Sequence, residues 1–419
     1  MSNNLLTISM ITNEALMVLE NELTFAKGAN RDYDPQFAVT GAKIGATVNV
    51  RKPARFIGTT GPALNVEDFN ETSIPVTLTT QFHVDTQFTT ADLTLSMDMF
   101  ADRVLKPQVA AIANKMDSDG LVMAKNATAN IVGTPDTPSS ALLTYLTGAA
   151  IMDAEATPRD GKRSIVIDPF TNAAIVDGLK GLFTPSTKIG DQYTRGLMGR
   201  DASGLDWKLD QNVVSQTFSN WTTIAGTLTA ATNAGFAGSI STGWATNSTI
   251  TLTNSQGITL NQGDTFTIAG VFATNPQNRR SYGRLRSFVV NSTVTAAAGT
   301  FAVNVSPAII TAGQFQNVVV TATSGTATVT PFNIALTAAN AIVSPQNIIY
   351  HRNAFTMACA DLLLPDGVHF AGRASDKQTG LSIRVVRQYT INNDALPCRL
   401  DVLYGWAPLY PECACRVAA

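Results

Sequence analysis

"GDTFTIAGVFATNP", residues 263–276, opens on Gly-Asp, alternates threonine with apolar side chains, and stops at Asn-Pro. The Gly-Asp pair predicts a tight turn and the run after it a β-strand. The surrounding region is nearly free of charge: between Gln211 and Tyr350 the charged residues are Asp264, Arg279, Arg280, Arg284 and Arg286. Short strand-like runs recur there with turn signals between them, "STITLT" (248–253), "LRSFVV" (285–290), "TFAVNV" (300–305) and "NVVVTAT" (317–323). That spacing predicts a small antiparallel barrel or sandwich.

On either side the pattern is mixed. Upstream, an Ala- and Leu-rich helix over 141–156, the turn "TPRDG", the strand "SIVID" and, past Pro169, a helix around Ala173 to Leu182 predict a compact α+β body. Downstream, weak helical signals from Leu336 to Ile342 give way to strands, with "LSIRVVRQYTI" and "CRLDVLYGWAPL" joined as a hairpin through "NNDALP". The charge-poor module therefore interrupts a body that resumes after it, which makes it an insertion.

Near the amino terminus, Thr12 is the expected N-cap of a helix with Glu14 in its first turn and Ile11 stapled to Leu16. Leu16, Leu19, Glu20 and Leu23 share one mostly apolar face, which needs a surface to lie against. From Thr47 to Phe88 the period becomes two. "TVNVRKPARFIG" (47–58) gives one strand, and Ile74 to Asp85 gives another of about 12 residues, roughly 40 Å at ~3.3 Å per residue. Pro75 assigns the second to a sheet edge. With the turn-rich "TTGPALNVEDFNET" between them they predict a long two-stranded arm, marginal in water and suited to packing on a neighbouring molecule. Pro107 then starts the strongest helix, with Val109, Ile112, Ala113, Met116 and Met123 on one face.

Composition removes whole classes of function. The chain has 419 residues, 45% hydrophobic and 14% charged, enough to bury a large core in two or three domains. A net charge of −2, from 29 Lys+Arg and 31 Asp+Glu, provides no field to draw nucleic acid or an acidic membrane. The 4 cysteines fall within the last 61 residues and form no disulfide framework, so reduced thiols in a cytoplasmic setting are expected. The first 25 residues lack the basic and apolar regions of a secretory signal, and no window of 18 apolar residues suggests a spanning helix.

No catalytic or cofactor constellation is legible. His83, His351 and His369 have no partner at ligand spacing and read as structural or surface residues. "ECAC" places Cys413 and Cys415 two apart, on one face if the segment is a strand, and buried thiols suit it better than zinc. "DSDG" (117–120) lacks the rest of a calcium loop and reads as a solvated helix face. "GSISTG" (238–243) lacks the Lys-Ser/Thr end of a phosphate loop, and there is no G-x-S-x-G. No enzyme, metal or cofactor is expected.

Two basic clusters remain as candidate contact residues. "RRSYGRLR" carries Arg279, Arg280, Arg284 and Arg286, either in a solvated loop or facing an acidic surface on a partner. Arg51, Lys52 and Arg55 on the arm either match acidic groups on a neighbouring subunit or keep a solvated edge from aggregating.

The joint order of these elements resembles a known family. An N-terminal helix, a long strand arm, a spine helix, the body "PRDGKRSIVIDPFTNAAI", a strand-rich insert with "GDTFTIAGVF" and "SPAII", and a closing "RLDVLYGW" are similar to the major capsid proteins of tailed bacteriophages. Among these the chain most resembles the P-twenty-two-type coat proteins, whose HK97-type α+β fold carries an inserted β-barrel domain. The resemblance implies an N-terminal arm at 1–29, an extended loop over an adjacent subunit at 30–89, and a peripheral domain with its spine helix at 90–131. It further implies an axial domain split into 132–214 and 341–419, and an inserted domain at 215–340 that aids folding and steadies neighbouring capsomers. By the same resemblance the partners are copies of the chain in pentamers and hexamers, a scaffolding protein and a portal. Double-stranded DNA is enclosed without specific binding, no membrane is involved, and the protein resides in the virion after assembly in the host bacterial cytoplasm. One departure stands out: the family bridges capsomers with charges before the "GDTFTIAGV" strand, and "FAGSISTGWATNS" (236–248) has none. The Arg279–Arg286 cluster is the candidate replacement.

The alternative is a Thr-rich surface-layer or adhesin-like β protein, which would need export. A hydrolase is a third class, for which the sequence supplies no site.

Overall fold

The computed structural model describes residues 15–17, 19, 23–32, 47–67, 69, 71–89, 106–179, 203–219, 229–231, 243–254, 257–321, 326–332, 342–375, 381–392 and 395–419. In chain order the elements begin with strands β1 (Thr47–Lys52), β2 (Thr72–Thr77) and β3 (Thr80–Thr89) and helix α1 (Lys106–Ala127). Then come β4 (Ile131–Gly133), α2 (Leu142–Ala154), β5 (Arg163–Ile167), α3 (Pro169–Leu179), β6 (Asp206–Leu209) and β7 (Ser215–Thr217). The charge-poor region supplies β8 (Thr229–Ala231), β9 (Ser248–Asn254), β10 (Ile258–Leu260), β11 (Thr265–Thr274), β12 (Ser281–Val290), β13 (Val294–Ala296), β14 (Gly299–Ser306), β15 (Val318–Val320) and β16 (Thr326–Pro331). The chain closes with β17 (Val343–His351), β18 (Phe355–Ala360), β19 (Phe370–Ser375), β20 (Ser382–Arg387), β21 (Ala395–Pro408) and β22 (Ala414–Ala418). These divide into two compact units, one of residues 1–50, 74–120 and 355–409, the other of 51–73, 121–354 and 410–419.

In the first unit, β21 takes β3 along one edge and β20 and β18 along the other. The apolar stripe read near the amino terminus finds its surface here. Leu16, Leu19 and Leu23 pack with Val109, Ile112 and Met116 of α1 and with Ile383, Leu400 and Tyr404 of the sheet. Thr12, Ile11 and Glu14 lie outside the described residues. The expected solvated face at 117–120 is wrong at Asp117, which is buried. Its carboxylate accepts the backbone N–H groups of Thr24 (2.6 Å), Phe25 (3.2 Å) and Ala26 (2.9 Å), donors that the short turn Ala26–Gly28 leaves free at its start.

The single long strand expected from Ile74 to Asp85 is two strands. β2 pairs with β1, and after Leu78 and Thr79 the chain continues as β3, which joins β21 over ten registered positions. The crossing depends on Gly405. A Cβ at that position would lie 2.0 Å from the carbonyl oxygen of Thr77, so only glycine lets the two backbones approach this closely.

In the second unit a mixed sheet runs β4-β22-β17-β5-β6, with β7 paired to the start of β17. The charge-poor segment therefore leaves and returns on adjacent strands of one sheet. Helix α2 buries Tyr145 and Met152 among Ile165, Ile349 and Val417 of these strands. α3 starts at Pro169 itself, four residues before the expected Ala173, because Asp168 accepts the N–H groups of Phe170 (3.0 Å) and Thr171 (3.1 Å) as a cap. The weak helix signal at Leu336–Ile342 lies almost wholly outside the described residues.

The insert closes into a barrel, which decides between the two expected forms. Its ring runs β12-β14-β9-β8-β16-β11 and returns from β11 to β12, every pair antiparallel. The opening stretch is the closing strand: one edge of β11 pairs with β12, the other with β16 at Phe266–Ile268 and with β15 at Val271–Ala273. A register shift between Thr267 and Phe272, where Gly270 has φ 80°, bends β11 between those two partners. Closure joins the first and last strands of the ring and lets Ile250, Leu252, Phe266, Phe288, Val303 and Val305 fill it. The same core reaches Ile131 and Ala418 of the body sheet.

Cys413 and Cys415 do not share a strand: Cys413 ends the turn Pro411–Cys413 and Cys415 lies in β22. Burial pushes their thiols up to about 11 and about 12 respectively, so both are protonated and unreactive at neutral pH.

Candidate functional site

The side chains of the second unit that carry charge or unusual exposure gather at the arm and at the seam between barrel and body. At the end of β1, where the β1–β2 ladder gives way to the 53–71 segment, Lys52 Nζ lies 4.5 Å from the ring centre of Tyr410 and 5.4 Å from that of Trp244. Burial lowers the Lys52 pKa, against the opposing pull of Glu412. Arg55 faces Glu412 at 3.9 Å, and Arg279 Nη2 donates to the carbonyl oxygen of Phe56 at 2.6 Å. Arg51 pairs with Glu71 at 3.5 Å on the exposed side of the hairpin. Arg280 and Arg284 are exposed. Arg286 is buried against Glu155, whose Oε1 also accepts the Tyr282 hydroxyl at 2.9 Å. The seven basic residues thus occupy three settings: the end of β1, open surface and interior.

Between β1 and β2 the hairpin exposes large apolar side chains: Phe56 at 58%, Leu64 at 91%, Val66 at 80% and Phe69 at 63% of their surface. The rings of Phe56 and Phe69 stack at 6.3 Å. Four such side chains within 14 residues on a two-stranded hairpin form a patch that water disfavours.

The seam is polar and buried. Asp264 is wholly buried and accepts bonds from Gln216 Nε2 (3.1 Å), the Asn261 N–H (2.9 Å) and both the hydroxyl and the N–H of Ser219. Burial raises its pKa, and the Ser219 hydroxyl opposes that rise. Arg416 of β22, also wholly buried, donates to the carbonyl oxygen of Gly263 at 2.9 Å. Burial pulls its pKa down to about 10 although Asp264 nearby favours the charge, and burial with the Arg416 charge pulls Lys125 down to about 8. Gly263 has φ 88°, and a Cβ there would lie 2.7 Å from Gln216 Oε1. In β12, burial works against the Arg286 charge, and Glu155 together with Tyr282 and Glu412 outweighs it, raising the pKa. Asn275 Nδ2 adds a bond to the carbonyl oxygen of Ala154 at 3.1 Å. The barrel is fastened to the body at both places by buried hydrogen bonds and charges.

Two of the three histidines have carboxylate partners. His351 is buried, accepts the Asn353 N–H at Nδ1 and so presents Nε2–H to Asp160 at 3.0 Å. His83 faces Asp85 at 2.8 Å on an exposed strand. Among the described residues no three His, Cys, Asp or Glu side chains are arranged to hold a metal ion.

The family described as "P22 coat protein - gene protein 5" matches residues 1–416. The chain belongs to the P22 coat protein family. It is a structural major capsid protein of a tailed phage, a component of the virion that associates with its own copies in the shell, and its α+β architecture is the HK97-type fold with an inserted barrel. The full-length match disfavours the surface-layer alternative. Similar solved structures include that of Mycobacterium phage Che8, 10% identical over 94% of this chain and 90% of that one, with a TM-score of 0.47. The mature capsid of bacteriophage PhiM1 is 10% identical over 90% and 82%, at 0.44, and the capsid of Myoviridae phage XM1 is 7% identical over 95% and 92%, at 0.41. No curated protein matches the chain.

Sequence reading gave no role to several residues that hold the structure together. Glu155 and Arg416 carry the seam with Asp264, and Trp244 and Tyr410 flank Lys52 at the end of β1. One signal was available: Arg416 interrupts the otherwise apolar "CACRVA" of a strand, and a charge in such a run needs a buried partner.

Proposed function

We propose that this coat protein builds an icosahedral shell of hexamers and pentamers around a double-stranded DNA genome. Assembly takes place in the host bacterial cytoplasm, with a scaffolding protein and a portal, as a procapsid that rearranges when DNA enters. The observation that carries the reading is the arm. A two-stranded hairpin with Phe56, Leu64, Val66 and Phe69 exposed is the shape of a segment stabilised by a neighbouring copy. Net charge of −2 suits a shell wall that encloses DNA without gripping it. On this reading residues 1–29 are the N-terminal arm, 30–89 the extended loop, 90–131 the peripheral domain, 132–214 with 341–419 the axial domain, and 215–340 the inserted domain. Of the basic residues, exposed Arg51, Arg280 and Arg284 are the ones offered to neighbours.

Expression of the full chain with and without a scaffolding partner, followed by negative-stain microscopy, tests the proposal. Shells or polymeric sheets are expected. A monomer that persists in both conditions overturns it.

A further inference from the structure

We infer that the inserted barrel and the C-terminal segment set the direction in which the arm leaves its own subunit, with Lys52, Arg55 and Arg279 as positioning residues. The inference deepens the assembly reading, since it gives the 47–77 hairpin the role of an arm. Within six residues of β1's end the chain is held at three points by three different parts of the second unit. Lys52 lies over Trp244, which precedes β9, and over Tyr410, which follows β21. Arg55 faces Glu412. Arg279, in the β11–β12 turn, reaches the carbonyl oxygen of Phe56 at 2.6 Å.

Each part of the clamp is built for the task. Arg279 takes a left-handed backbone, φ 57°, which a non-glycine residue adopts only when its surroundings require it. The turn around it is fixed by Asn275, whose Oδ1 accepts the Gln277 N–H at 2.9 Å and whose Nδ2 binds the carbonyl oxygen of Ala154 at 3.1 Å. The same Asn275 thus ties the Arg279 turn to the end of α2, so the clamp is referenced to the body and not to a loose loop. Trp244 packs with Ala308, Ile310 and Phe315 in a small apolar cluster at the barrel, which holds its ring in place under the ammonium group. The 53–71 segment, held in this way where it leaves the β1–β2 ladder, has one preferred exit angle, and its exposed apolar side chains meet a neighbouring copy already aimed.

Hydrogen exchange by mass spectrometry on the unassembled full chain tests this, comparing wild type, Arg279→Ala, Lys52→Ala and, as control, Arg280→Ala. Peptides covering 53–71 should exchange about tenfold faster in Arg279→Ala and Lys52→Ala, as expected for loss of a bond to a charged group, with α2 peptides and the control unchanged. If Arg279→Ala fails to fold, Arg55→Gln and Trp244→Leu address the same clamp. Exchange over 53–71 that equals wild type in the folded clamp variants overturns the inference. Because the readout is taken on monomer, that outcome is distinct from a failure to form shells.

Discussion

Asp401 lies wholly buried in β21, where Arg384 binds both its oxygens (2.9 and 2.5 Å) and Gln81 Nε2 and Arg399 Nε add bonds at 3.0 and 3.1 Å. Replacing it by Ala leaves the mostly buried Arg384 with the Leu363 carbonyl oxygen but without its carboxylate, which destabilises the fold by about 3 kcal/mol. Chemical denaturation of the monomer reads this directly, and a loss below about 1 kcal/mol contradicts the role. Lys125 gives a pH signature. Its pKa is near 8 when folded against 10.5 ordinarily, so between those values the unfolded chain binds more protons and stability rises with pH. Melting temperature against pH should therefore climb across about 8 to 10.5 in wild type relative to Lys125→Met, and parallel curves would exclude the effect. None of these roles was legible locally: Asp401 and Gln81 are 320 residues apart, and Asp117 caps a turn 91 to 93 residues away.

At the scale of elements, the sequence pattern located the barrel's longer strands and α1 well. It merged β2 with β3, because the alternation of Ile74, Val76, Phe82 and Val84 continues through the crossover while the backbone does not. Gly405 is the test of that crossover. In Gly405→Ala the new methyl group meets the backbone of Thr77, which cannot move aside as a side chain would, so a melting temperature equal to wild type would refute the close approach. The short strands β8, β10 and β13, three residues each, escaped because so few positions define no period.

At the scale of the molecule, two predictions concern assembly. Leu64→Asp with Val66→Asp should leave monomer stability within about 0.5 kcal/mol, since both side chains are exposed, and abolish shells in microscopy. Normal shells from that variant would remove the arm tip from the interface. Deleting 215–340 and joining the ends uncovers Ile131, Ala418 and the buried Arg416, so the truncated chain should be insoluble. A soluble truncated chain that assembles would overturn the folding role of the insert.

The sequence by itself determined the α+β body, the charge-poor insertion of strands within it, the amphipathic spine helix, and the lack of any catalytic motif. Each of these is a property of composition or of a period a few residues long. Only the tertiary structure decided that β11 closes a barrel by pairing on both edges, that the alternating run breaks after Thr77 into two strands, and where the charges go. Arg286 and Arg280 look alike in "RRSYGRLR", yet one is buried against Glu155, 131 residues away, and the other is exposed. Whether a charge can be buried depends on the partner that the fold brings to it, and that partner lies beyond the reach of any local pattern.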